Sequence, residues 1–128
     1  MGEIRCHLGQ KESYLLVQNT ECLNRLVAKW RTISLQQDNY YLWKKLNKIT
    51  SLVNQKLFKI SDMIYNKEVT TSLYIAMLND DINEILAECR DDAWSNNNLD
   101  LWYDLLGASD LLVSNLGIVE RAIQRDKI

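Results

Sequence analysis

Acidic side chains at helical spacing are the residues of this sequence whose types could do chemistry. Asp81 and Glu84 are one helical turn apart, and Glu88 and Asp91 repeat that spacing on the following turns. Asp104 lies in the next predicted helix. Carboxylates from neighbouring helices can hold Mg²⁺, and a bound magnesium ion can organise the hydrolysis of a phosphate ester. One interpretation of the pattern is therefore a magnesium-dependent phosphohydrolase.

This spacing resembles that of the all-helical nucleotide pyrophosphohydrolases, which use a Glu-x-x-Glu pair on one helix and a Glu-x-x-Asp pair on another. Here both pairs fall on one predicted helix, and the next helix offers Asp100 and Asp104, four residues apart, instead. The carboxylates also lie opposite the apolar stripe of their helix, where charged residues normally face solvent. We therefore favour an electrostatic steering surface for a partner over a metal site. The predicted steering residues are Asp80, Asp81, Glu84, Glu88, Asp91 and Asp92.

Nucleophilic catalysis would have to use the single histidine, His7, which stands beside Cys6 in a segment, residues 1–11, that we predict to be mobile. Adjacent residues on a flexible end do not form a preorganised nucleophile and base. The three cysteines have no metal-binding spacing and are odd in number, which argues against a disulfide framework. Cys22 and Cys89 lie on apolar stripes, so we expect both to be buried. We predict no catalytic residue, no metal and no cofactor.

The elements that must position these residues are helices. Apolar residues recur every three or four positions over residues 12–35, 39–66, 69–94 and from 99 onward, and the chain contains no proline. This pattern predicts an all-α fold, a bundle of about four long amphipathic helices, mostly antiparallel, in a single domain over residues 1–128. Shorter helices, with breaks at Gly107 and near Asn66, are the alternative. We find no internal repeat.

Charge is distributed unevenly along the chain. Residues 1–67 carry eleven basic and five acidic side chains, whereas residues 68–128 carry four and twelve. Neighbouring basic and acidic helices can fix the topology of a bundle, and an acidic face can also dock a basic partner. A third interpretation is nucleic-acid binding through the lysines of the second helix, which the acidic pI of about 5.4 disfavours. Those lysines are Lys45, Lys48, Lys56 and Lys59.

Several large apolar residues fall outside the helical stripes and are candidates for contacting a partner. They are Trp43, Phe58, Tyr65, Leu73, Met77, Trp102 and Tyr103. We therefore predict a non-enzymatic protein-interaction module, an adaptor or complex subunit. Its partner would be another protein, for example a helical segment, or a second copy of this chain. No apolar run approaches the roughly 20 residues of a membrane span. The odd number of cysteines, the lack of a disulfide framework and the lack of a recognisable secretory signal favour an intracellular location, cytoplasmic or nuclear.

Overall fold

Four amphipathic helices account for most of the chain. The computed structural model describes residues 5–66, 68–70 and 81–126, with the side chains of residues 7–55, 62, 65, 66 and 81–125. Within these ranges the helices are α1 (Gln10–Gln36), α2 (Tyr40–Asn66), α3 (Asp81–Ser95) and α4 (Leu99–Asp126). α1 packs against α2 and α4, and α3 packs against the same two helices, which closes the four into a bundle. The predicted all-α fold is confirmed.

The core forms where the apolar stripes of the four helices meet. Leu46, Ile49, Ile82 and Leu86 are completely buried, and Trp30 joins them from α1. Burying a side chain of this size stabilises the fold by about 1.5–3 kcal/mol relative to leaving it exposed. The apolar periodicity of the sequence therefore identifies most of the described core, with the exception of Cys22, which lies on a predicted stripe but is exposed.

The third predicted helix does not begin where the sequence indicates. Glu68–Thr70 form a short strand, β2, which pairs antiparallel with Arg5–His7, β1, so the prediction of a helix from residue 69 is wrong. Val69 and Thr70 are β-branched, and such residues favour extended backbone over a helix. The described helix α3 begins at Asp81. Residues 71–80, including Leu73, Met77 and Asp80, lie outside the described residues.

The N-terminal residues next to β1 contact the body of the bundle. Leu8 is 1% exposed, and Arg125 on α4 donates a hydrogen bond to the carbonyl oxygen of His7 at 2.6 Å. Arg125 also forms an ion pair with Glu12 in the first turn of α1, at 2.9 Å. These contacts give the segment a defined position, and its mobility stays a prediction.

A buried polar network fixes how α1 lies against α4. The Asn115 amide, 4% exposed, donates to the Thr20 hydroxyl at 3.3 Å and accepts from the Asn19 amide at 3.0 Å. Since a buried amide is costly without partners, sliding one helix along the other would be penalised. α4 itself runs continuously through Gly107, so the predicted alternative of a break there is wrong.

Candidate interaction surface

The two hairpin loops of the bundle are built in the same way. In each, the last turn of the first helix ends at a residue in the left-handed conformation, Asp38 or Asn97, both with φ of 57°. The next residue, Asn39 or Asn98, donates its backbone N–H to a carbonyl five residues earlier, at 2.8 Å in both loops. This hydrogen bond defines a Schellman motif, in which Asn and Asp tolerate the left-handed position better than most residues.

The same asparagine then begins the following helix. The side-chain oxygen of Asn39 accepts the Leu42 backbone N–H at 3.2 Å, and that of Asn98 accepts the Leu101 N–H at 3.3 Å. One residue therefore ends the first helix and caps the second. Because one asparagine serves both helices, the connections between α1 and α2 and between α3 and α4 are three residues long.

This shared geometry reveals a repeat in the sequence. The α1–α2 and α3–α4 hairpins align with a constant offset of 59 residues, the separation between Asn39 and Asn98, so the expectation of no internal repeat is wrong. Buried positions also correspond, for example Leu46 and Leu105. The positions at which both hairpins carry the same residue include Asn24/Asn83, Ala28/Ala87, Arg31/Arg90, Asn39/Asn98, Leu42/Leu101, Trp43/Trp102 and Leu46/Leu105.

Both loops lie at one end of the bundle, because the helices alternate in direction. A cleft of about 490 Å³ separates them and is lined by residues from both sides. Leu42, Leu101 and Cys89 contribute to its lining, and the Asp92 carboxylate lines one wall. The remaining lining residues are Gln37, Asn39, Tyr41, Ala93, Asn96 and Asn98. We call residues 35–41 and 94–100 together the tip surface.

Large apolar side chains are exposed at matching positions on the two halves of the tip surface. Leu35 and its equivalent Trp94 are 49% and 60% exposed, and Tyr40 and its equivalent Leu99 are 57% and 50% exposed. Tyr41 adds a fifth exposed side chain beside the cleft. Water-exposed apolar surface that is grouped in this way is typical of sites where another macromolecule binds.

Aromatic rings extend the second half of the tip surface along α4. The Trp102 ring lies 5.2 Å from that of Trp94 and 5.0 Å from that of Tyr103, measured between centroids. Trp102 also packs against the core, whereas Tyr103 is exposed. Tilted and edge-on ring pairs at these distances stabilise each other by about 0.5–1.5 kcal/mol beyond the area that they bury.

The predicted partner residues are only partly brought together. Trp43, Trp102 and Tyr103 lie in the first turns of α2 and α4, next to the tip surface. Tyr65 is 87% exposed but lies at the far end of α2. The side chains of Phe58, Leu73 and Met77 lie outside the described residues. The five exposed residues of the tip surface are therefore additions to the sequence-based set.

Part of the predicted steering surface is engaged in ion pairs between α2 and α3. Lys45 on α2 forms ion pairs with Glu88 at 3.0 Å and Asp92 at 3.8 Å, and its ammonium group lies 4.2 Å from the centroid of the Tyr41 ring. Burial opposes the charge, but hydrogen bonds with Tyr41 and Glu88 outweigh it and raise the pKa of Lys45. These contacts match the interpretation in which basic and acidic helices fix the topology.

The other steering residues remain on the surface. Asp81, Glu84 and Asp91 are exposed on α3, and the first two line a shallow depression with Lys45 and Lys48 of α2. The depression thus has basic residues on its α2 side and acidic residues on its α3 side. Asp80 lies outside the described residues.

The α1–α4 interface contains an ion pair at the equivalent positions, with the basic and the acidic residue exchanged. Lys29 binds Asp104 at 2.9 Å, and Trp30 donates its indole N–H to the same carboxylate oxygen at 2.7 Å. Burial raises the pKa of Asp104, but the hydrogen bonds from Lys29 and Trp30 outweigh it and hold that pKa below its usual range. Lys29 and Asp104 occupy the positions of Glu88 and Lys45 in the other hairpin.

The carboxylates considered for magnesium are not gathered into a recognisable site. Among the described residues, no group of three His, Cys, Asp or Glu side chains is placed to hold a metal ion. Glu88 and Asp104 are held by Lys45 and Lys29, on different interfaces. Cys22 is exposed, so its predicted burial is wrong, and Cys89 is buried as predicted. Burial raises the pKa of the Cys89 thiol to about 11.

Comparisons with known proteins add no further constraint. The chain matches no model of a protein family, no curated protein and no solved structure. In the part of the chain that the structure describes, no helix has the length and apolarity needed to cross a membrane.

A sequence signal for the tip surface does exist. The segments from Asn39 to Leu46 and from Asn98 to Leu105 share the pattern Asn-x-x-Leu-Trp-x-x-Leu. Its asparagine marks a helix cap in both hairpins. The exposed residues Tyr40, Tyr41 and Leu99 follow it directly, and Leu35 and Trp94 lie four residues before it. An apolar stripe shows which face of a helix is buried, but it does not show which residues lie together at one end of the bundle. The exposed residues of the tip surface are therefore not apparent from the stripes.

Proposed function

We propose that this protein is a protein-interaction module, an adaptor or complex subunit, that binds its partner through the tip surface. The observation that carries the proposal is the gathering of Leu35, Tyr40, Trp94 and Leu99 at one end of the bundle, each about half exposed or more. Hydrogen bonds fix the backbone of the two loops that carry these side chains, and a preformed backbone lowers the entropy lost on binding. The proposed location is intracellular.

The tip surface has the composition of a binding site. Trp and Tyr are enriched at the energetic centres of interfaces, and the tip surface together with the adjoining turns provides Tyr40, Tyr41, Trp94, Trp102 and Tyr103. Polar residues line the cleft between the two halves and would form hydrogen bonds at its centre. An enzymatic role has no comparable support from the geometry of the described residues.

The test compares variants of the full-length protein in their ability to retain the partner that co-purifies from the native source. We expect the Leu35→Ser/Trp94→Ser variant to lose at least about 90% of the bound partner, because losing two central anchors costs more than about 1.4 kcal/mol. The matched control is Tyr14→Ser, which removes a side chain that is 59% exposed near the start of α1, at the other end of the bundle.

Circular dichroism and urea unfolding establish that each variant is folded before binding is compared. The proposal would be contradicted if the doubly substituted tip variant retained the partner as well as the original protein. It would equally be contradicted if Tyr14→Ser alone abolished retention, since the site would then lie at the opposite end.

A further inference from the structure

We propose that the partner of the tip surface is a basic protein segment that places a cationic side chain in the cleft, between apolar side chains that contact the two halves. This inference rests on the proposed function and specifies the chemistry of the partner. Three features of the described residues support it: the charge of the tip surface, the lining of the cleft, and the repetition of apolar positions on either side.

The charge of the tip surface is entirely negative. Residues 35–41 and 94–100 contain Asp38 and Asp100 but no Lys, Arg or His. Both aspartates are exposed. The Asp92 carboxylate adds to them from the wall of the cleft, where half of its side chain remains exposed beside Lys45. An acidic surface of this kind accelerates encounter with a basic partner and disfavours an acidic one.

The lining of the cleft also suits a donor-rich cation. Gln37, Asn39, Asn96 and Asn98 place four side-chain amides along the cleft, and Tyr41 borders it with an exposed ring. A guanidinium or ammonium group carries donors only, so it matches carbonyl and carboxylate acceptors. Lys45 already lies over one face of the Tyr41 ring, so this exposed ring adds apolar contact surface beside the cleft.

The repeat determines the order of groups along the partner. Leu35 and Tyr40 flank the first loop, which lines one side of the cleft, and Trp94 and Leu99 occupy the equivalent positions around the second loop, which lines the other side. A segment crossing the cleft therefore meets apolar surface, then acidic and polar groups, then apolar surface again. This order selects a segment with apolar residues on both sides of its basic residues.

A second copy of this chain fits the tip surface poorly. Two tip surfaces facing each other would bring together two surfaces that each carry Asp38 and Asp100, with no basic residue in these segments to compensate. Like charges at an interface are destabilising. The charge argument therefore favours a basic partner over self-association.

Three fluorescein-labelled peptides test the inference with the full-length protein. The basic probe has the sequence Trp-Leu-Arg-Gly-Arg-Leu-Trp, and matched probes replace both arginines by glutamine or by glutamate. We expect the basic probe to bind at least about tenfold more tightly than the glutamine probe, and the glutamate probe to bind more weakly still. Raising the ionic strength should reduce this difference because exposed charges are screened.

Variants locate the binding of the basic probe. The Asp38→Asn/Asp100→Asn variant should weaken it about three- to tenfold while leaving the glutamine probe unchanged. Leu35→Ser/Trp94→Ser should weaken all probes that bind. Asp110→Asn, which neutralises an exposed aspartate on α4 away from the tip surface, is the matched control and should have no effect.

Equal affinity for the three probes, or no measurable binding of the basic probe, would overturn the inference. So would binding that survives the tip variants but is lost in Asp81→Asn/Glu84→Gln, because the probe would then occupy the α3 face. If the natural partner is lost in Leu35→Ser/Trp94→Ser but retained in Asp38→Asn/Asp100→Asn, the proposed function stands and only the basic character of the partner is wrong.

Discussion

At the scale of single residues, the structure separates a cysteine that is chemically protected from one that is open to reagents. Cys89 lies in the core, where desolvation raises its pKa to about 11, whereas Cys22 is exposed on α1. A thiol reacts through its thiolate, so burial and a raised pKa both protect Cys89. In the sequence, each cysteine lies on the apolar stripe of its own helix. Only the packing of the helices shows that one is buried and the other exposed.

We predict that a Cys6→Ser/Cys22→Ser variant, in which Cys89 is the remaining thiol, reacts with Ellman's reagent at pH 8 only after urea is added. At that pH roughly one thiol in a thousand is ionised when the pKa is near 11. Absorbance at 412 nm measures the reaction. Complete labelling of the folded protein within seconds would contradict the buried position of Cys89.

A second residue-scale prediction concerns acid. Because hydrogen bonds from Lys29 and Trp30 lower the pKa of Asp104 in the folded state, its charge stabilises the fold at and above the unfolded pKa, near 4. That stabilisation is lost as the pH falls from about 4 through the lower folded pKa. Urea unfolding at several pH values should show a smaller loss of stability between pH 5 and about pH 2 in Asp104→Asn than in the original protein.

The effect of this substitution should be modest, since Asp104 and Lys29 are partly exposed and water screens their interaction. Asp110→Asn, which removes an exposed carboxylate from the same helix, is the control. An acid response in Asp104→Asn equal to that of the original protein would show that this carboxylate does not hold a lowered pKa.

At the scale of elements, the two loops depend on the double role of one asparagine. Asn39→Ala and Asn98→Ala each remove the side-chain oxygen that accepts the N3 backbone N–H. We expect each to lower the free energy of unfolding by about 1 kcal/mol. Because the loops are equivalent, the two losses should agree to within about 0.5 kcal/mol and add in the double variant.

Asn96→Ala is the matched control within the second loop. The Asn96 side chain donates to the Asp92 carbonyl in an exposed position, and we expect its loss to change the stability by less than about 0.5 kcal/mol. Urea unfolding monitored by tryptophan fluorescence measures all four variants. A large loss in Asn96→Ala and none in Asn98→Ala would contradict the capping assignment.

The sequence predicts the helices far better than the contacts between segments that are distant in the chain. The apolar stripes identify α1, α2 and α4, and their ends fall within a few residues of the structure, because caps such as Asn39 and Asn98 are local signals. The strand Glu68–Thr70 escapes prediction because its partner, Arg5–His7, is distant in the chain. The tip surface is not predicted for a similar reason, since its two segments are distant in the chain and come together only when the helices pack.

At the scale of the whole molecule, the duplicated hairpins are joined by two equivalent ion pairs of opposite polarity. Lys29 meets Asp104 between α1 and α4, and Glu88 meets Lys45 between α3 and α2. Two copies of the first hairpin would place Lys29 against Lys45, whereas two copies of the second would place Glu88 against Asp104. The reversed charges therefore favour the pairing of unlike hairpins, in agreement with the role predicted for the basic and acidic helices.

A charge-reversal cycle tests this pairing. Lys45→Glu places a carboxylate beside Glu88 and Asp92, and we expect it to lower the free energy of unfolding by about 1–2 kcal/mol. Adding Glu88→Lys should recover about half of that loss or more, because the pair then has opposite charges again. Urea unfolding of the single and double variants measures the coupling, and strictly additive effects would show that the pair makes no contribution.

The most direct measurement of the central claim is site-specific photocrosslinking of the full-length protein to its partner in the native source. Benzoylphenylalanine is introduced in place of Tyr40, Trp94 or, at the opposite end of α2, Tyr65, which is the most exposed of the three. The tip surface predicts crosslinks to one and the same partner from positions 40 and 94 and none from position 65. Crosslinks from position 65 alone would contradict the proposal that the partner binds at the paired loops.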